Sequence, residues 1–154
     1  MATTIRETIL DRVATQLATI TTGNGYEQSV SKVYRPSVAV LNITTYPAVV
    51  IRDNGDEPRW HLRDAMEHTM SLDIIAYVEK GNDDDRLEAL SDLLGDIQKL
   101  AMADDTWNSN ARRTWISGVT TDLSELKNGY ATGIVGIRIL YRVTRTNPYA
   151  TEAI

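Results

Sequence analysis

The chain has 154 residues, 42% of them hydrophobic and 24% charged, which suits one compact globular domain and is short for two well-cored ones. Sixteen Lys and Arg against 21 Asp and Glu give a formal charge of -5, a balance that argues against a protein whose main task is gripping nucleic acid or an anionic membrane. With no cysteine, disulfides, thiolate catalysis and Cys-type zinc sites are excluded together, and no apolar run approaches the roughly 20 residues of a membrane span.

The opening MATTIRETILDR carries acids and lacks the basic-then-apolar layout of a signal peptide, so a soluble intracellular protein is expected. Thr4-x-x-Glu7 reads as a capping box. Ile5, Ile9, Val13, Leu17 and Ile20 then recur at helical spacing, with Leu10 and Ala14 widening the stripe. The run from Thr21 to Gly25 stops it, which predicts one amphipathic helix over 4–21.

A β-rich stretch follows. Val30, Val33 and Tyr34 suggest a strand ending at Arg35-Pro36, and PAVVIRD a short buried strand beginning at Pro47. Residues 53–59, DNGDEPR, are turn chemistry. From there to Met66 the chain is polar but holds Trp60 and Leu62. We read 52–69 as a projecting loop or extended hairpin arm. Met70, Leu72, Ile74, Ala76 and Val78 alternate as a strand, and Ile75 and Tyr77 suggest that its other face is covered too.

Asp83, Asp84 and Asp85 begin a second helix, where three carboxylates suit the positive end of the dipole. Leu87, Leu90, Leu94, Ile97 and Ala101 form its apolar stripe, ending near 102–105. Gly95 costs this helix roughly 1 kcal/mol against Ala, and a close helix–sheet approach is one possible reason. TWISGVTTDL from Thr114 and GIVGIRILYRV from Gly133 read as two more strands. In the last, Ile137, Ile139, Tyr141 and Val143 face one way and Arg138 and Arg142 the other. A short polar tail, 146–154, closes the chain. The order α-β-β-β-α-β-β predicts an α+β fold, with two helices on one face of a mostly antiparallel sheet in a single domain over 1–154.

Charge is unevenly spread: residues 81–105 hold eight acids against Arg86 and Lys99, whereas 106–154 hold six basic residues against three acids. Such a bipolar surface is either simply solvated or a means of head-to-tail contact between copies. A search for chemistry ends without a constellation. His61 and His68, at odd separation, would fall on opposite faces of a continuous strand, and no HExxH pattern accompanies them. No GxSxG elbow exposes a serine. Gly129, Gly133 and Gly136 precede a strand rather than a helix, so a twist, bulge or close approach explains them better than a phosphate loop. Asp83–Asp85 lacks the alternating ligands of a calcium loop. Trp115 reads as core. Trp60 and Trp107 sit in polar segments, either folded back onto the sheet or reserved for a partner.

The stretches VYRP, YPAVVI, HTMSLDIIAYVEKGNDDDRLEALSDLLGDIQKLAMADDTW and ATGIVGIRILYRV, behind an amphipathic helix, follow one another in an order that resembles tail-completion proteins of tailed bacteriophages. The likeness is greatest to tail terminators similar to the lambdoid minor tail protein U. The glycine-rich turn usual after this second helix is replaced here by NSNARRT. The resemblance implies a structural virion protein without enzymatic activity or cofactor, assembled in the host cytoplasm. It would form a homohexameric ring that caps the head-proximal end of the tail tube, stops tube growth and joins tail to head. Its implied partners are its own copies, the tail tube protein and a head-completion or stopper protein, with DNA passing through the lumen unbound and no membrane involved. A compact chain of this length has a radius of gyration of roughly 15 Å, so a six-membered ring leaves an opening of about 38 Å, wide enough for duplex DNA. The alternatives are another head–tail joining protein, a stopper or an adaptor, and a small α+β ligand-binding or enzymatic domain. Candidate subunit or partner contacts are Trp60 and Leu62 on the arm, Trp107, and Asp92 and Asp96 facing Arg138 and Arg142. The competing arrangement puts both arginines beneath their own second helix.

Overall fold

The computed structural model describes residues 3–35, 46–61, 63–79, 82–122 and 129–151. Helix α1 spans Ile5–Leu17, with Thr4 at its N-cap accepting from the Glu7 amide at 3.1 Å. The Glu7 carboxylate does not close the expected box; it accepts instead from Arg35 at 2.8 Å. The helix ends earlier than the apolar spacing suggests. Thr19 and Ile20 donate to Gln16 and Leu17, a tighter three-residue pattern that still buries Ile20. A 3-10 turn, Thr22–Asn24, then leads to Gly25 in the left-handed region (φ 90).

Strands β1 (Lys32–Tyr34), β2 (Ala48–Trp60) and β3 (Ala65–Glu79) precede helix α2 (Asp83–Ala103). After it come β4 (Arg113–Asp122), β5 (Tyr130–Thr144) and β6 (Asn147–Thr151). The sheet order is β1-β2-β3-β5-β4, and β6 also pairs with β5. Among the described strand pairings, only β1–β2 is parallel. Because β3 occupies one edge of β5 from Tyr130 to Thr144, β4 and β6 follow each other along the other edge.

Three boundaries differ from the sequence reading. Turn chemistry at 53–59 is absorbed by β2, which takes up the extra residues as a bulge between Asp53 and Asp56 and continues to Trp60. Residues 52–53 and 56–60 therefore pair with β3, and 65–69 pair with β5 as well. The polar tail contributes a sixth strand, since Thr144 pairs with Asn147 across a short turn.

The register explains the core. Ile51 pairs with Ile74, and Leu72 and Met70 pair with Ile137 and Ile139, so alternate residues of three strands share one face. Ile9, Val13 and Leu17 of α1 and Leu90, Leu93 and Ile97 of α2 are buried in the same cluster. Both helices thus cover one face of a mostly antiparallel sheet, an α+β layer architecture. Gly133 sits directly under α2: a Cβ there would lie 2.9 Å from both terminal carbons of Leu94. Gly95 has no such role, being exposed with nothing within 4 Å of an added Cβ. None of the described helices is long and apolar enough to cross a membrane.

Candidate functional site

The face of the sheet turned away from the helices carries the densest chemistry. Pairing puts Arg59 opposite Glu67, Glu67 opposite Arg142, and Arg138 opposite Trp115, all on the outer side. At this end Glu57, Arg59, Arg113, Trp115 and Arg138 line a shallow depression of about 300 Å³. The Arg113 guanidinium lies 4.9 Å above the Trp115 ring, and Arg142 Nε donates to Glu67 at 3.0 Å. The other end is aromatic, with Tyr130 between Tyr46 and Tyr77 at centroid distances of 6.3 and 6.5 Å. Trp115 is therefore not core, as its strand pattern suggests, but half-buried on the outer face beneath an arginine.

The candidate contact residues separate into three places. Arg138 is exposed on the outer face and Arg142 is half-buried there, so neither lies beneath its own α2. Asp92 is half-buried on α2, where it joins Asp85, Glu88 and Gln28 around a groove of about 220 Å³. Asp96, four residues on, is turned inward and only 4% exposed. Its carboxylate accepts from the amides of Glu27 and Gln28 at 3.1 and 2.8 Å. The expected Asp92–Asp96 surface pair is thus corrected: one helical turn separates an outward acid from one that pins the segment after Gly25. Lys99 supports the same segment by donating to the Gly25 carbonyl at 2.9 Å. Trp107 is folded back completely, 1% exposed, with its indole N–H on Thr114. Trp60 is 60% exposed on the helix side of the sheet, under the Arg145 guanidinium at 4.9 Å. Leu62 lies outside the described residues.

A second polar cluster, which sequence reasoning did not find, sits at the N-terminal end of α1. Arg6 donates to Asp53 and, at 2.9 Å, to Asp56, while Asp56 also accepts from the Tyr141 hydroxyl. The His68 ring stacks on Tyr141 at 5.0 Å, and its Nδ1 stands 3.4 Å from Asp56 without hydrogen-bond geometry. Thr4, Val143 and Pro148 complete a cleft of about 170 Å³. The hydrogen bond from Arg6 holds the Asp53 carboxyl below the usual carboxylate range, and Arg6 is raised in return. Burial, then the Asp56 hydrogen bond, pushes the Tyr141 phenol well above its ordinary value. Both Asp56 oxygens are engaged, one by Arg6 and one by Tyr141, so the arrangement ties α1, β2 and β5 together. His61 lies elsewhere, 3.8 Å from Glu67 on the outer side. Among the described residues no three His, Cys, Asp or Glu come together as a metal site. The cluster was illegible because Arg6, Asp56, His68 and Tyr141 are brought together only by pairings that span the chain.

No protein-family model matches the chain, and no curated protein matches it either.

Proposed function

We propose that the chain is a structural subunit of a tailed-phage neck. Six copies form a ring on the head-proximal end of the tail tube, stop its growth and provide the surface to which the head joins. The observation that carries this reading is the outer sheet face. It is a broad, mixed surface with exposed arginines and a half-buried Trp, set against an acidic helix on the opposite side of the same chain. Such a chain has two different faces to offer its neighbours, which a closed ring needs. The order of strand, acid-started helix and paired long strands supports the same reading through its resemblance to tail terminators. An overall charge of -5 suits a lumen that lets DNA pass without holding it.

The neighbouring reading, a stopper or adaptor of the same neck, differs in what the ring touches. The test is electron microscopy of the purified protein mixed with tail tubes grown from the tube subunit of the same genome, and separately with portal rings. Rings seated on one tube end, with tube growth arrested, support the terminator. Rings seated on the portal and never on tubes support the stopper or adaptor instead.

A further inference from the structure

We infer that the outer face of the sheet receives the acidic α2 surface of a second copy of this chain, head to tail. The inference rests on the ring-forming reading and deepens it by naming the two faces that meet. On the receiving side, Arg59 of β2, Arg113 of β4, and Arg138 and Arg142 of β5 stand on one patch with Glu57 and Glu67. Arg142 is held by Glu67, whereas Arg113 and Arg138 are exposed with no described carboxylate in salt-bridge range. Half-buried Trp115 and Leu140 lie between them and supply apolar area that charge alone does not.

On the donating side, Asp85, Glu88 and Asp92 recur at i, i+3 and i+7 along one stripe of α2, edging the groove beside Gln28. Asp84 is exposed next to them. The two surfaces are opposite in sign, and they lie on opposite sides of the molecule, because α2 packs on the face from which these arginines point away. One chain cannot join its own two patches. A second copy can, and each copy then uses each patch once, which is the heterologous contact that closes a ring. Charge would set the register and the encounter rate, while the apolar residues of the patch hold the contact.

The experiment measures assembly by sedimentation velocity and native mass spectrometry on the full chain. It uses the wild type, the sheet variant Arg113→Glu/Arg138→Glu and the helix variant Glu88→Lys/Asp92→Lys. Circular dichroism and melting confirm that each variant is folded, and the single changes Arg138→Glu and Glu88→Lys at exposed positions serve where a double variant is not. Each double variant alone should associate at least tenfold more weakly per contact than wild type, about 1.4 kcal/mol. An equimolar mixture should regain assembly as complexes with an even number of subunits and a one-to-one composition, since each variant then supplies the half that the other lacks. Rings that form in the wild type and survive both reversals would overturn the docking while leaving the ring reading intact. A wild type that stays monomeric would overturn both. Rings that respond to the reversals yet never seat on tube ends would uphold the docking and overturn the proposed function.

Discussion

The indole N–H of Trp107 donates to the hydroxyl of Thr114 at 2.8 Å, and that hydroxyl donates onward to the Asp105 carbonyl at 2.7 Å. The connection from α2 to β4 is thereby tied across its own base inside the core. Its backbone needs the tie: Trp107, Asn108 and Ser109 all have positive φ, at 49, 61 and 66. Left-handed conformations cost non-glycine residues roughly 1–2 kcal/mol each, and burial of the indole offsets that cost.

Replacing Trp107 by Phe keeps most of the buried area but takes the donor from Thr114, so stability should fall by about 1–3 kcal/mol in urea denaturation. Trp107→Ala should cost about 3–5 kcal/mol. Ser109→Gly relieves one left-handed residue and should raise the melting temperature. An unchanged midpoint for Trp107→Phe would mean that the hydroxyl relay contributes nothing.

Gly95 on the exposed side of α2 and Gly133 beneath that helix should answer oppositely to alanine. Gly95→Ala, at an exposed helical position with open space, should stabilise by about 1 kcal/mol. Gly133→Ala forces a methyl against Leu94 in a filled core and should destabilise by about 1–3 kcal/mol. The same sign for both would show that α2 does not rest on β5 at Gly133.

Two acids one turn apart on α2 should also separate. Asp96→Ala strips the acceptors from two backbone amides and should cost about 1–3 kcal/mol. Asp92→Ala, at the rim of an open groove, should change stability by less than about 0.5 kcal/mol. Comparable losses at both would place Asp92 inside the fold.

Acid lability should trace to carboxylates paired with arginine. Arg6 holds Asp53 low, and Arg35 holds Glu7 low. A group whose folded pKa is depressed contributes stability above its unfolded value, near pH 4, and that stability is lost as pH falls through the lower folded value. Unfolding free energy should therefore drop between pH 5 and the acid limit of folding, at about those values. The drop should be shallower in Arg6→Met, which frees Asp53. A variant that falls as steeply as the parent would place the acid sensitivity elsewhere.

What could be read in the sequence follows from locality. The capping Thr4, the apolar stripes of α1 and α2, and the alternation of Met70 to Val78 and of Ile137 to Val143 are periodic signals contained within one element, and they position the core correctly. The outward direction of Arg138 and Arg142 is equally a matter of parity. The bulge that carries β2 through Asn54-Gly55 is different, because a turn dipeptide is also compatible with a bulged strand once β3 lies alongside to pair with it. Asp96 and Asp92 look alike in a string, and only the approach of residues 27 and 28 distinguishes them. Trp115 carries the alternation of a strand, but which side the helices cover is a property of the whole sheet.

Native mass spectrometry of the wild-type chain near neutral pH, at several protein concentrations, tests the ring most directly. The expected species has six times the 17.2 kDa mass of one chain, and the two charge-reversal variants, dissociated when alone, should return to it in a one-to-one mixture. A monomer at every concentration, or a two-fold dimer that ignores both reversals, would contradict the ring.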